Sequence, residues 1–149
     1  MNPWNVWSIT TARRGLLITV LLLLAPLARA DYGAPERVVL QYVEACYTGN
    51  AKLLESLFHP DALMTGQSPR GFYLGSPEPF FKHIRDSESL EASGAPYVGR
   101  VTSVQVSGPI ATVTLEEEGY FGRSYTDIFT LIELDGAWKI VTKTYYQSK

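Results

Sequence analysis

The stretch Ser124–Tyr146, SYTDIFTLIELDGAWKIVTKTYY, decides the fold. Two runs rich in β-branched and aromatic residues flank Asp135-Gly136, a pair that tolerates the positive φ angles of a tight primed turn. Tyr125–Leu134 and Ala137–Tyr146 therefore read as one antiparallel hairpin. Upstream, Tyr97–Val106 and Ile110–Glu118 read as two further strands, with Ser107-Gly108-Pro109 and Gly119–Gly122 as the turns between strands. The result is a four-stranded antiparallel meander.

Before the meander the periodicity is helical. Pro35 suits the first turn of a helix running to about Thr48, with Val39, Tyr42, Val43 and Cys46 on one face and Gly49 as its stop. Asn50 caps a second, short helix whose Leu53, Leu54, Leu57 and Phe58 face the core, and Pro60 ends it. Asp61–Thr65 and Phe72–Leu74 read as short strands around a loop. Ser76-Pro77 opens a third helix through Phe80, Phe81 and Ile84, and Asp86–Pro96 reads as a polar loop. Helices first and an antiparallel sheet last imply an α+β domain in which the sheet curls around the helices.

The N-terminus reads as an address. Arg13 and Arg14 precede the apolar run Leu16–Leu24, and Ala28-Arg29-Ala30 supplies the small residues a signal peptidase recognises. Residues 1–30 are expected to be a secretory signal cleaved between Ala30 and Asp31. Residues 31–149 then form one domain, periplasmic or secreted, with no membrane attachment after cleavage. That domain holds ten basic against fifteen acidic residues, a net charge near −5. Nucleic-acid binding is disfavoured, because it needs clustered Lys and Arg to displace counterions.

The single cysteine, Cys46, has no internal disulfide partner and reads as a small buried hydrophobe. His59 and His83 are the only histidines, and no ligand spacing suggests zinc or iron. Neither a metal nor a cofactor is expected. Glu116, Glu117 and Glu118 read as a solvated strand edge. Ile128, Phe129, Leu131 and Ile132 place apolar residues on both faces of one strand, which implies a homodimer covering the outer face of the sheet.

The order of elements resembles the nuclear transport factor 2-like (NTF2-like) superfamily, the cone-shaped fold of SnoaL and ketosteroid isomerase. Phe58-His59-Pro60-Asp61-Ala62 and Gly136-Ala137-Trp138-Lys139-Ile140-Val141 match its landmarks. Within it, the putative lumazine-binding family is most similar, through His59-Pro60-Asp61-Ala62, Thr65-Gly66, Tyr125-Thr126-Asp127 and Trp138-Lys139-Ile140-Val141. The resemblance implies a cavity for a small organic ligand, such as a planar heterocycle, and leaves enzyme status open.

The first helix, Val38–Ala45, resembles that of ketosteroid isomerases, and Tyr42 falls on their oxyanion-binding tyrosine. The same alignment places their carboxylate base at Gly66 and their protonated aspartate at Thr130, so this chain keeps one donor and lacks the base. Strand alternation puts Lys139, Val141, Lys143 and Tyr145 on one face of the last strand, a parity that a β-bulge would reverse. The isomerase register turns Lys143 and Tyr145 inward. Tyr42, Lys143 and Tyr145 are thus the expected ligand-binding residues. A cofactor-free lyase or isomerase would use His59 or Asp127 as base with Tyr42 as oxyanion donor. His59 reads more simply as a helix-terminal residue beside the Asp61 turn, and Asp127 is assigned to neither face.

Overall fold

The computed structural model describes residues 33–148; the expected signal segment and its cleavage site lie outside them. Helix α1 spans Gly33–Thr48 and α2 spans Ala51–Leu57, followed by the hairpin β1 (Phe58–Ser68) and β2 (Gly71–Gly75). Helices α3 (Glu78–Asp86) and α4 (Leu90–Ser93) lead into the meander β3 (Val98–Ser107), β4 (Ile110–Tyr120), β5 (Arg123–Leu134) and β6 (Ala137–Gln147). The strands form one curved, unclosed sheet in the order β2-β1-β6-β5-β4-β3. The meander is antiparallel as expected, and so is the β1–β2 hairpin. The hairpin joins the meander through a parallel pairing of β1 with β6, which makes the sheet mixed.

Local chemistry explains the boundaries. The side chain of Asn50 accepts a hydrogen bond from the Leu53 amide at 3.0 Å, capping α2. Pro60 does not terminate that helix: the chain is already extended at Phe58, and Pro60 lies in the irregular first part of β1, where its pairing with β6 shifts register. The segment expected as a polar loop contains α4, capped by the Ser89 hydroxyl on the Ala92 amide and closed by left-handed Gly94. Asp135 and Gly136 both have positive φ, 51° and 79°, as a primed hairpin turn requires.

Val39, Tyr42, Ala45 and Cys46 of α1 are buried in the concave side of the sheet with Leu54, Phe81 and Ile84 from the other helices. The inner face of β4, β5 and β6 is read most simply as four cross-strand rows. Ala111, Leu131 and Ile140 form the first, Val113, Phe129 and Lys143 the second, Leu115, Asp127 and Tyr145 the third, and Glu117, Tyr125 and Gln147 the fourth. The rows pass from wholly apolar to largely polar along the strands.

A single irregularity sets this order. Thr130 pairs with Thr142 but Leu131 pairs with Ile140, so Val141 is an extra, bulged residue. Before the bulge Trp138 and Ile140 point inward; after it Lys143 and Tyr145 do. Strict alternation had grouped Lys139 and Val141 with Lys143, and the bulge separates them. Lys139 instead donates to the Ser56 carbonyl of α2 at 2.6 Å.

Candidate functional site

The two polar rows meet a cavity of about 440 Å³. Its size falls in the range of small-molecule sites. Helix α1 contributes Tyr42, α3 contributes Phe80 and His83, and β4 contributes Glu117 and Tyr120. Tyr125 comes from β5, Lys143 and Tyr145 from β6, and Arg70 and Phe72 from the β1–β2 hairpin. The three expected ligand-binding residues, Tyr42, Lys143 and Tyr145, thus line one cavity from distant parts of the chain.

Lys143 is the centre of the site. Its ammonium lies 2.7 Å from Asp127 Oδ2, and both side chains are almost wholly buried. The pair is a diagonal one, formed between the second and third rows of neighbouring strands. Four rings surround the ammonium, with Tyr145, Tyr42, Phe80 and Phe129 centroids 5.2, 5.6, 5.6 and 5.9 Å away. Burial alone would lower the Lys143 pKa, but the neighbouring carboxylate charge, that of Asp127 above all, outweighs it and leaves the value raised. Lys143 is therefore held as a cation.

Asp127, which alternation alone did not place, points inward and is fully buried. The Tyr42 hydroxyl donates to the same Oδ2 at 3.5 Å. Glu117 lies diagonally beside Asp127, 2% exposed, and accepts a hydrogen bond from the Tyr97 hydroxyl. Burial first, and then the Asp127 charge, push the Glu117 pKa well above the ordinary glutamate value and favour its protonated form. With one lysine to two carboxyl groups, that protonation makes the cluster neutral. The phenols of Tyr42, Tyr97 and Tyr120 are raised chiefly by burial and stay as O–H donors. Burial also raises the Cys46 thiol, which suits a structural hydrophobe rather than a nucleophile.

Two expectations from the sequence, those for Glu117 and Thr130, need correction. Glu117 is not part of a solvated edge; only its neighbours Glu116 and Glu118 are exposed. The signal was present in the alternation Ala111, Val113, Leu115, Glu117, which assigns the middle glutamate to the apolar face. His59 is absent from the cavity wall. Its Nδ1 accepts from the Asp61 amide at 3.1 Å, the local turn role that the sequence also offered. Thr130 lies between inward-facing Phe129 and Leu131 and so points to the outer face, where its hydroxyl does not reach the cavity.

Gly66 explains why the isomerase's base is missing. A Cβ built there would stand 2.4 Å from Cδ1 of Tyr145, whose ring lies flat against the β1 backbone. The site that could hold a carboxylate is filled by an aromatic side chain from the neighbouring strand.

Comparison with known proteins agrees with this architecture. The family model described as putative lumazine-binding matches residues 30–146. The aldolase FrzH of Cladobotryum sp is 27% identical over 118 residues, covering 78% of this chain and 91% of the aldolase. An NTF2-like protein from Methylobacillus flagellatus superposes with a TM-score of 0.73 at 21% identity, covering 83% of this chain and 97% of that one. Another from Silicibacter pomeroyi gives 0.69 at 27% identity, covering 77% and 93%. With its cone of helices and curved sheet and a family match over nearly the whole described length, the chain belongs to the putative lumazine-binding family of the NTF2-like superfamily.

Proposed function

We infer that this is a periplasmic or secreted binding protein for a small planar heterocycle. The ligand would lie in the cone cavity with a carbonyl or other acceptor on Lys143 and its ring against Tyr42, Phe80 and Tyr145. The observation that carries this reading is the Lys143 ammonium, a buried cation fixed by Asp127 and walled by aromatic rings. A lysine held in its charged form donates hydrogen bonds and attracts π-systems, but it lacks the free electron pair needed to attack a carbonyl. The family description supports a heterocyclic ligand. The signal-like first thirty residues support export. Exposed Ile128 and Tyr146 on the meander support a homodimer formed through the outer face of the sheet.

Mass spectrometry of small molecules carried by the natively purified 31–149 protein tests the reading, with calorimetry using lumazine as probe. Saturable binding weakened by Tyr145→Ala is expected. Absence of both a carried molecule and any binding heat would remove the proposal.

The aldolase relative favours a second reading, a cofactor-free lyase. Tyr42 and Lys143 would then hold the enolate oxygen and Asp127 would accept the proton, which requires Asp127, buried behind the cavity wall, to release Lys143 and turn into the cavity. Cleavage of a β-hydroxy ketone such as diacetone alcohol, with a bell-shaped pH profile and loss in Asp127→Asn, would establish it. Background rates throughout would retire it.

A further inference from the structure

Several groups of the cavity have no role in the reading above, and two of them are guanidinium groups. Arg70 lies in the turn between β1 and β2, and Arg123 begins β5 directly after the turn from β4. The two hairpin ends bring both arginines to the same cavity. Neither side chain forms an ion pair with any described residue. Lys143 at depth is neutralised by Asp127, and Glu117 is the one acid among the described residues of the cavity wall, so the two guanidinium groups are its uncompensated charges. This balance is the reverse of the domain's, in which acids outnumber bases. A cleft lined by one sign of charge focuses its potential on whatever enters.

A separate observation points to a polar contact inside. Tyr120 is 9% exposed and lines the cavity, yet its buried hydroxyl has no hydrogen-bond partner among the described residues. A buried O–H left unpaired is costly, so one in a cavity wall is a ready donor to a water or a molecule that enters.

We propose that the ligand is a planar organic anion, its acidic group held by Arg70 and Arg123 and an acceptor on its ring edge taking the Tyr120 hydroxyl. This rests on the reading of the cavity as a small-molecule site and adds the charge class of the molecule. Arginine is suited to the role because its planar fork matches the two oxygens of a carboxylate, sulfonate or phosphate. The Glu117 proton completes the selection, since an ionised carboxylate in the same wall would repel the anion.

Fluorescence titration with anilinonaphthalene sulfonate and its uncharged analogue phenylnaphthylamine separates charge from shape. The 31–149 protein, Arg70→Gln/Arg123→Gln and Phe80→Ala are compared at about 50 mM and about 500 mM salt. The arginine variant should lose about tenfold in sulfonate affinity and less than about twofold for the neutral probe. High salt should reproduce most of that loss in the parent and little in the variant. Phe80→Ala should weaken both probes, which locates them in the cavity. If Phe80→Ala weakens both while the arginine variant leaves the sulfonate unchanged, or weakens both probes equally, the anion assignment is wrong and the cavity reading stands. Probe binding indifferent to Phe80→Ala, or no binding at all, would overturn both.

Discussion

The same three strands build two chemically opposite regions. In the first cross-strand row Ala111, Leu131 and Ile140 are all but inaccessible and carry no polar side-chain atom. Two rows further on, at nearly the same depth, stand Asp127 and its diagonal neighbours Lys143 and Glu117. Burial is common to both ends, so burial alone cannot explain the charges. The apolar end is stabilised by removing carbon from water. The polar end costs desolvation, which only mutual pairing offsets. Stability would be served by extending the apolar row, and the retention of a neutral but ion-paired cluster against the cavity is the signature of a site.

Breaking the polar region should have the largest effect. Lys143→Met removes the cation from beside Asp127 and leaves a buried carboxylate uncompensated, a loss of about 3 to 5 kcal/mol in urea unfolding. The double variant Lys143→Met/Asp127→Leu should recover most of it, because an apolar pair of similar volume needs no compensation. A double variant as unstable as the single would mean that the polar and apolar ends are not exchangeable in stability, and the contrast drawn above would fail.

Glu117 sharpens the comparison through pH. Unfolded, it ionises near the ordinary value of 4.5; folded, burial and Asp127 keep its proton on to higher pH. Between those two values the native state binds the extra proton. Its stabilising contribution is complete below 4.5 and is lost as pH rises through the folded value. Glu117→Gln cannot ionise but keeps an acceptor for Tyr97. Relative to the parent, this variant should gain stability as pH rises from about 5 to about 8, by up to about 1.4 kcal/mol per unit within the titration window. Parallel pH profiles would show that Glu117 titrates normally and that the cluster carries a net charge.

The difference between the two regions also explains what could be read from the chain. Asp135-Gly136 and the alternating runs around it were sufficient for the hairpin, and the heptad-like spacing of Val39, Tyr42 and Cys46 for α1, because turn chemistry and periodicity are local. Tyr42, Lys143 and Tyr145 were legible only through the register of a known fold. What local pattern could not supply was the Val141 bulge, which depends on how β6 pairs with β5, and with it the parity of every residue beyond. Glu117 was misassigned for a different reason. Three consecutive glutamates suggest solvent, and only the apolar residues two and four positions earlier indicate that the middle one turns inward. Arg70 and Arg123 carry no sequence signal at all, since two hairpin ends must meet before they share a cavity.

Tyr120 offers a test in the opposite direction. If its buried hydroxyl is kept for a ligand, Tyr120→Phe should stabilise the ligand-free protein by about 1 kcal/mol while weakening the ligand. Thermal unfolding with and without the natural ligand separates the two effects. Destabilisation of the free protein would reveal an internal partner for the hydroxyl and place Tyr120 with the structural rows.

The smallest effect is expected at Tyr42, which belongs to both regions. Its ring packs in the apolar core, with the Phe129 centroid 4.9 Å away and that of Phe80 5.9 Å away, and only its hydroxyl enters the polar cluster. That hydroxyl reaches Asp127 at 3.5 Å, a long bond to an oxygen already held by Lys143 at 2.7 Å. Tyr42→Phe keeps every ring contact and leaves the ion pair intact, so the cost should be about 0.5 to 1 kcal/mol, below that of a typical hydrogen bond to a charged group. Equilibrium urea unfolding of parent and variant measures it. A loss above about 2 kcal/mol would show that the phenol, and not the lysine, is the principal partner of Asp127. The boundary between the two regions would then move into α1.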